Sequence, residues 1–195
     1  QLSQQEPVTT QLLSENPIFD EQPRQLIDKQ IEIDIEIETF KNNLVRIINE
    51  KRAKQGNTCP NNVIYMPGGE YKRSSVLDTL AQIHSENMVT HNQYSHCTKS
   101  DVNSKGKQLS KSGDCLSNRI SNLNTVYPWT KLGENLIIGR KLDEPERIVT
   151  EFINSAAHCD KIFSNTYNEI GIGYVRGPAK HNNIQYLHWI TLVVA

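Results

Sequence analysis

The sequence lacks a long apolar segment, an excess of charge of either sign and any closely spaced pair of cysteines. No run approaches the ~20 apolar residues that cross a bilayer, so we expect no transmembrane helix. Its 21 basic and 22 acidic residues are scattered and give a formal net charge of −1. A chain with this balance has no basic stripe for binding nucleic acid, and we exclude that class of partner.

The four cysteines are widely spaced and include no CxxC pair. An even number in this pattern favours two structural disulfides over a zinc knuckle or a redox pair. Four cysteines allow three pairings. We favour Cys97–Cys115, which closes a polar loop, together with Cys59–Cys159, which ties the start of the domain to its middle. The alternative is a protein with free buried thiols, because cysteine also packs as a small apolar residue.

Two features of the sequence bear on the compartment in which the protein works. The chain starts at Gln1 rather than Met, as it would after removal of a signal peptide, and paired cysteines are typical of oxidising compartments. We therefore expect a secreted protein, or one in the secretory-pathway lumen or at the extracellular surface. The glycosylation sequon Asn-x-Ser/Thr is absent and only Asn57-Thr58-Cys59 approximates it, so glycosylation adds no support.

Residues 1–38 have the composition of an N-terminal arm. Residues 1–30 are rich in Gln, Glu and Pro and poor in aromatics, so they cannot bury a core of their own. Within the arm, residues 31–38 alternate Ile with Glu or Asp, which is the period of a strand with one apolar and one acidic face. We predict an extended arm whose strand either lies at the edge of its own domain or docks on a partner protein.

Residues 39–195 show helical patterns first and strands last, without βαβ alternation, and this predicts an α+β domain. The polar stretch 97–126 predicts a long loop. Strands over 170–175 and 186–194 predict a hairpin that turns near Gly177 and Pro178. Three helices are predicted, from Thr39 to about Gln55, from Ser74 or Ser75 to Asn92, and from Pro145 through Ala156.

Four short segments of this domain occur in a familiar order. They are Tyr94-Ser95-His96 at a helix end, Gly133-Glu134-Asn135-Leu136, Phe152-x-x-Ser155-x-x-His158, and the strand Ile170-Gly171-Ile172-Gly173. Over about residues 40–195 they resemble the CAP superfamily of cysteine-rich secretory proteins, antigen 5 and pathogenesis-related type-one proteins, and most of all its short SCP-like branch. The resemblance implies a three-layer α-β-α sandwich with an antiparallel sheet and a central cleft.

The resemblance also implies a set of cleft residues. The family typically places two histidines and two acids in the cleft, and the matching residues are His96, His158 and Glu134. The second acid usually stands three residues after an aromatic, here Phe152, and that position is Ser155. Two imidazoles and a carboxylate could bind a divalent cation such as zinc, or Glu134 could act as a general base. Because one acid is missing, the sequence leaves enzymatic activity open and favours a non-catalytic role.

Three functions follow from these observations. The favoured one is a secreted binding module that presents its cleft and loops to a protein partner or to a lipid or sterol, as the resemblance implies. The second is a structural component of a larger extracellular or luminal assembly, held through residues 1–38. The third is a metal-dependent hydrolase that uses His96, Glu134 and His158.

Overall fold

The computed structural model describes residues 21–54, 56–123 and 129–195. Contacts within the chain divide it into two compact units, Gln1–Ile35 and Glu36–Ala195. No helix in the described ranges combines the length and the hydropathy of a membrane span. The elements are α1 (Glu21–Arg52), β1 (Asn57–Thr58), β2 (Ile64–Tyr65), β3 (Lys72–Arg73), α2 (Ser75–Thr90), α3 (Ser112–Ser121), β4 (Gly133–Gly139), α4 (Pro145–Ile153), α5 (Ala156–Phe163), β5 (Glu169–His181) and β6 (Ile184–Val194).

A four-stranded sheet with the order β3-β5-β6-β4 forms the centre of the second unit. β6 pairs antiparallel with both β5 and β4, and β3 joins β5 in parallel. β1 and β2 form a separate antiparallel ribbon. The predicted antiparallel sheet is therefore confirmed for its three long strands, with one short parallel strand added at the edge.

Helices cover both faces of this sheet, so the predicted three-layer α-β-α sandwich is confirmed. Side chains alternate along a strand. The even-numbered residues of β5 and β6 therefore pack into one core with α4, α5 and the part of α1 from Glu36 onward. Odd-numbered residues of β6 face α2 and α3. The larger core includes Phe40, Leu44, Ile48, Ile148, Phe152, Ile162, Ile170, Ile172, Ile190 and Leu192, and the opposite face includes Leu77, Leu80, Met88, Leu116, Trp189 and Val193.

Two glycines set the contact between α2 and the sheet. A Cβ atom at Gly171 would lie 2.0 Å from the carbonyl carbon of Leu77, and one at Gly173 would lie 2.1 Å from the carbonyl oxygen of Ala81. Both positions therefore exclude every other residue unless the helix moves. The alternation Ile-Gly-Ile-Gly in β5 places isoleucine in one core and leaves room for the helix backbone on the other face.

The strand predicted over residues 31–38 is wrong, because these residues lie inside α1. The helix begins at Glu21 rather than at Thr39, so the arm is not extended over residues 21–38. The Ile/acid alternation has a period of two, but Glu and Lys are good helix formers and the packed segment beyond Phe40 provides a helical nucleus. The predicted division at residue 38 stays a prediction, and predictions within residues 1–20 lie outside the described part of the chain.

Three other predictions are corrected in the second unit. The polar stretch 97–126 contains a helix, α3, in place of a continuous loop. The helix that begins at Pro145 ends at Ile153, and Ala156 starts a separate one. The hairpin turns at Asn182 and Asn183, which both have positive φ, whereas Gly177 and Pro178 lie at a bulge where proline's missing N–H is tolerated.

Both favoured disulfides are present, and the described chain contains no free cysteine. Cys59 and Cys159 join the β1–β2 ribbon to α5, with their Cα atoms 5.7 Å apart. Cys97 and Cys115 join the segment after α2 to α3, with a Cα separation of 5.6 Å. The second bond therefore fixes α3 beside His96.

Candidate functional site

The end of α2 and the segment that follows it bring His96 to β4. The hydroxyl of Tyr94 donates to the carbonyl of Leu136 on β4 at 2.8 Å. The backbone N–H of Tyr94 donates to Nδ1 of His181, at the tip of the β5–β6 hairpin, at 3.2 Å. Earlier on α2, Nε2 of the fully buried His84 donates to the carbonyl of Ser95 at 3.0 Å. These three bonds hold the backbone beside His96 in place.

His96 and Glu134, which the sequence predicted as site residues, are in direct contact. His96 Nδ1 lies 2.8 Å from Oε2 of Glu134, and the side chain of His96 is 39% exposed whereas that of Glu134 is 4% exposed. The other carboxylate oxygen, Oε1, accepts a hydrogen bond from the guanidinium of Arg119 on α3. Both oxygens of Glu134 are therefore occupied by donors inside the protein.

Arg119 also anchors a second buried carboxylate, that of Asp101. Its Nη1 donates to Oδ2 and Oδ1 of Asp101 at 3.1 and 3.2 Å and to the carbonyl of His96 at 3.0 Å. Asp101 Oδ2 in turn accepts the backbone N–H of Thr98 at 2.7 Å. One guanidinium thus links α3, β4 and the segment after His96. Because buried charges require partners, this link stabilises the wall of the cleft.

Glu134 and His84 have shifted pKa values. Burial alone would raise the pKa of Glu134, but the hydrogen bond from His96 and the charges nearby, including that of Arg119, lower it below the ordinary value. Burial lowers the pKa of His84 to about 4, even though the carboxylate of Glu134 opposes this shift. At neutral pH the site therefore holds an ionised Glu134 beside a neutral, Nε2-protonated His84.

His158 lies near this cluster without a hydrogen bond to it. It comes from α5, on the opposite side of the sheet from α2 and α3, and its carbonyl accepts a hydrogen bond from Asn135 Nδ2 at 3.0 Å. Its ring packs edge-on against Phe152, with centroids 5.4 Å apart. Burial lowers the pKa of His158, and its neighbours Lys161 and His96 add to this effect. The structure thus joins His96 to Glu134 and leaves His158 as a neighbour.

The residues present do not suit a divalent cation. Among the described residues, no group of three or more His, Cys, Asp or Glu side chains is arranged to hold a metal ion. Glu134 already pairs with Arg119, and a second cation at the same carboxylate would meet the repulsion of the guanidinium. Ser155, at the position of the family's second acid, is a half-buried residue preceding α5 and supplies no carboxylate. The predicted zinc site stays a hypothesis that the charge arrangement disfavours.

A cavity of about 390 Å³ opens beside His96. Its wall combines hydroxyl groups with one imidazole, one phenol ring and the half-cystine Cys97. The lining residues are Tyr94, Ser95, His96, Cys97, Ser110, Ser112 and Leu136. Such a surface can donate and accept several hydrogen bonds while stacking against one aromatic ring.

Sequence reasoning missed Arg119 and Asp101, which hold the site together. Both lie in the polar stretch interpreted as a loop, and the available signal was the spacing of Leu116 and Ile120 around Arg119, which is helical. His84 is a buried core histidine that is hydrogen-bonded to the backbone. His188 is also buried, with Nδ1 2.9 Å from the hydroxyl of Tyr174.

The fold agrees with the family that matches this chain. The description of that family is the CAP cysteine-rich secretory protein family, and the match covers residues 69–194, which is more than half of the chain. The chain therefore belongs to the CAP family. No curated protein sequence matches it.

Several solved structures are similar to this chain at low sequence identity. An extracellular protein containing an SCP domain from Bacillus anthracis is 13% identical, with a TM-score of 0.53 over 80% of this chain and 40% of that one. A cysteine-rich secretory protein from Staphylococcus aureus is 14% identical, with a TM-score of 0.47 over 80% of this chain and 38% of that one. An outer surface protein from Borrelia burgdorferi is 11% identical, with a TM-score of 0.47 over 82% of this chain and 91% of that one. This chain spans less than half the length of the Bacillus anthracis protein.

Proposed function

We propose that the chain is a secreted, non-catalytic binding module that takes up a protein segment in the cavity beside His96. The observation that carries this proposal is the pairing of Glu134, whose two oxygens accept hydrogen bonds from Arg119 and His96. A general base works best with a pKa near the operating pH, whereas the pKa of Glu134 is lowered. In this proposal the carboxylate holds the cleft together and takes no proton from a substrate.

The lining of the cavity favours a protein segment over a lipid or sterol. Sterols and acyl chains bind in pockets whose walls are mainly apolar. Here three serines and His96 line the cavity together with Tyr94, Cys97 and Leu136, so about half of its wall is polar. A peptide can pair its backbone groups with these hydroxyls, which an acyl chain would leave unsatisfied.

The two disulfides support secretion, because such bonds persist mainly in oxidising compartments. Protein isolated from its natural source and alkylated before reduction should then carry no label on cysteine. Labelled thiols at Cys59 or Cys97 in freshly isolated protein would count against a secreted location.

Blocking the cavity tests the binding function. Affinity capture of extracellular proteins should yield a partner with the wild-type chain and lose it with Ser110→Trp, since Ser110 lines the cavity. Ser121→Trp is the matched control, because Ser121 is an exposed serine on α3 that does not line the cavity. If both variants capture the partner equally well, the partner does not bind in the cavity. Native mass spectrometry of the purified protein distinguishes a lipid-sized adduct from a protein partner.

A second substitution separates binding from hydrolysis. His158 does not line the cavity, but the metal-dependent hydrolase hypothesis requires it. His158→Gln should leave partner binding unchanged if the chain is a binding module. Chelator-sensitive hydrolysis of peptides or esters that disappears in this variant would instead support the hydrolase.

A second function, attachment to a larger extracellular assembly through α1, is favoured by a separate observation. Five large apolar side chains in the first part of α1 are 39–69% exposed, which is more than a surface helix usually leaves uncovered. They are Leu26, Ile27, Ile31, Ile33 and Ile35. In this proposal a protein partner covers them, and the native complex isolated from the source should dissociate when Ile27, Ile31 and Ile35 are replaced by Ser. Survival of that complex would exclude α1 as the attachment.

A further inference from the structure

The first part of α1 presents an apolar stripe with acidic margins. Ile27, Ile31 and Ile35 are spaced by four residues, so they form one row on the helix, and they are 59%, 52% and 62% exposed. Asp28 and Glu32 form the next row on one side. Asp34 lies on the other side, where it accepts a hydrogen bond from Gln30 at 2.8 Å. Every one of these acidic side chains is exposed.

The positive charges of this segment are placed differently. Lys29 projects from the opposite side of the helix, because it is two positions from Ile27 and Ile31 in a period of 3.6. Arg24 lies only at the N-terminal end of the stripe. Between residues 27 and 35, the margins of the apolar row are therefore acidic on both sides.

This arrangement is unfavourable for a helix in water. Asp28 and Glu32 are like charges four residues apart, which destabilise a helix modestly, and isoleucine is a weaker helix former than leucine or alanine. Exposed isoleucines gain nothing until another surface covers them. A partner with apolar side chains and positive charges would remove both penalties at once.

We infer that the Ile27, Ile31 and Ile35 face of α1 binds a basic amphipathic helix of another protein, whose apolar side chains cover the isoleucines and whose Lys or Arg side chains pair with Asp28, Glu32 and Asp34. This inference rests on the second proposed function and names the partner's chemistry. A second copy of this chain does not meet the requirement, because its own acidic margins would face those of the first copy.

Two synthetic helical peptides of about 20 residues test the inference, since that length spans the exposed part of α1. Both carry leucines at helical spacing; one has lysine in the flanking rows and the other has glutamate. Fluorescence anisotropy with the full chain at low salt should show binding of the lysine peptide on the order of tenfold tighter than that of the glutamate peptide. Asp28→Lys/Glu32→Lys should reverse this preference, and Ile27→Ser/Ile31→Ser/Ile35→Ser should lose binding of both peptides.

The matched control is Ile184→Ser/Leu187→Ser. These residues are 43% and 40% exposed on β6, and their substitution should leave peptide binding unchanged. Equal binding of both peptides to the wild-type chain, or no binding of either, would overturn the inference. So would dimerisation of the wild-type chain that the triple serine variant abolishes. The second proposed function has its own test, because only survival of the native complex in the triple serine variant would contradict it.

Discussion

Arg119 and Glu134 pair inside the protein, although one comes from a helix in a polar stretch and the other from a central strand. Arg119 is 6% and Glu134 is 5% exposed. The hydrogen bond from His96 and the nearby charges, including that of Arg119, keep this carboxylate ionised where burial alone would favour the neutral acid. Two buried carboxylates, Asp101 and Glu134, share this one guanidinium, so its removal should affect the whole cleft.

Arg119→Met should lower the free energy of unfolding by about 3–5 kcal/mol, because it leaves two buried carboxylates without their cation. Urea unfolding at neutral pH measures the loss. Arg46→Met is the control, since Arg46 pairs with Glu50 at 2.5 Å on the exposed surface and should contribute about 1 kcal/mol or less. Similar losses in both variants would contradict the structural role of Arg119. Adding Glu134→Gln to Arg119→Met should restore part of the stability.

The stability of the protein should decrease as the pH is lowered, because His84 is buried in its neutral form. Its pKa is about 4 in the folded protein and near 6.5 when unfolded, so between these values the unfolded chain binds a proton that the folded one does not. Lowering the pH from about 7.5 to about 5 should therefore reduce the free energy of unfolding by about 2 kcal/mol. The lowered pKa of Glu134 acts in a separate, more acidic window, because its contribution is lost as pH falls below the ordinary carboxyl range.

His84→Gln tests this assignment. Glutamine keeps a donor for the carbonyl of Ser95 but does not titrate, so the slope between about pH 7.5 and pH 5 should flatten. His91→Gln, at the C-cap residue that follows α2, is the matched control. Urea unfolding at the two pH values provides the comparison, and an unchanged slope in His84→Gln would assign the pH dependence to another group.

Metal ions should have little effect on the protein. Because Arg119 occupies the carboxylate that a cation would need, adding EDTA or excess zinc should leave the melting temperature unchanged. Differential scanning fluorimetry gives the measurement. A rise in melting temperature with zinc that His96→Gln/His158→Gln abolishes would instead establish a metal site in the cleft.

Removing the Cys97–Cys115 bond should destabilise the protein and disturb His96. The bond closes a loop with a sequence separation of 18, for which chain entropy predicts a loss of about 3 kcal/mol in Cys97→Ser/Cys115→Ser. The bond also holds α3, and so Arg119, next to His96, so the NMR signals of the His96 ring should broaden. Cys59→Ser/Cys159→Ser, with a separation of 100, should cost more stability, about 4–5 kcal/mol, and leave those signals sharp.

The sequence predicted the sandwich because its strongest local signals agree with the fold. Gly171 and Gly173 alternate with isoleucines in β5, Pro145 begins α4, and α2 spans the predicted region. The pattern over residues 31–38 gave a wrong prediction, because an alternation of apolar and acidic residues identifies a strand only where a sheet edge is available to pair with it. In this chain those residues continue a helix whose later turns are packed in the core.

The site was only partly predictable. His96 and Glu134 were identified from a family resemblance, since nothing in their own spacing joins residues 38 positions apart. Arg119 could not be found in this way, because a single arginine in a polar stretch is usually solvated. Its role depends on a short helix that is held by a disulfide, and only the three-dimensional structure places that helix against β4.

Gly171 and Gly173 have a consequence for the evolution of the cleft. They touch none of its residues, yet they determine how close α2 comes to the sheet, and α2 carries His84 and the segment that ends at His96. A larger residue at either position would raise the helix and widen the gap between His96 and Glu134. Relatives could therefore adjust the width of the cleft by changes in β5, without altering any residue of the cleft itself.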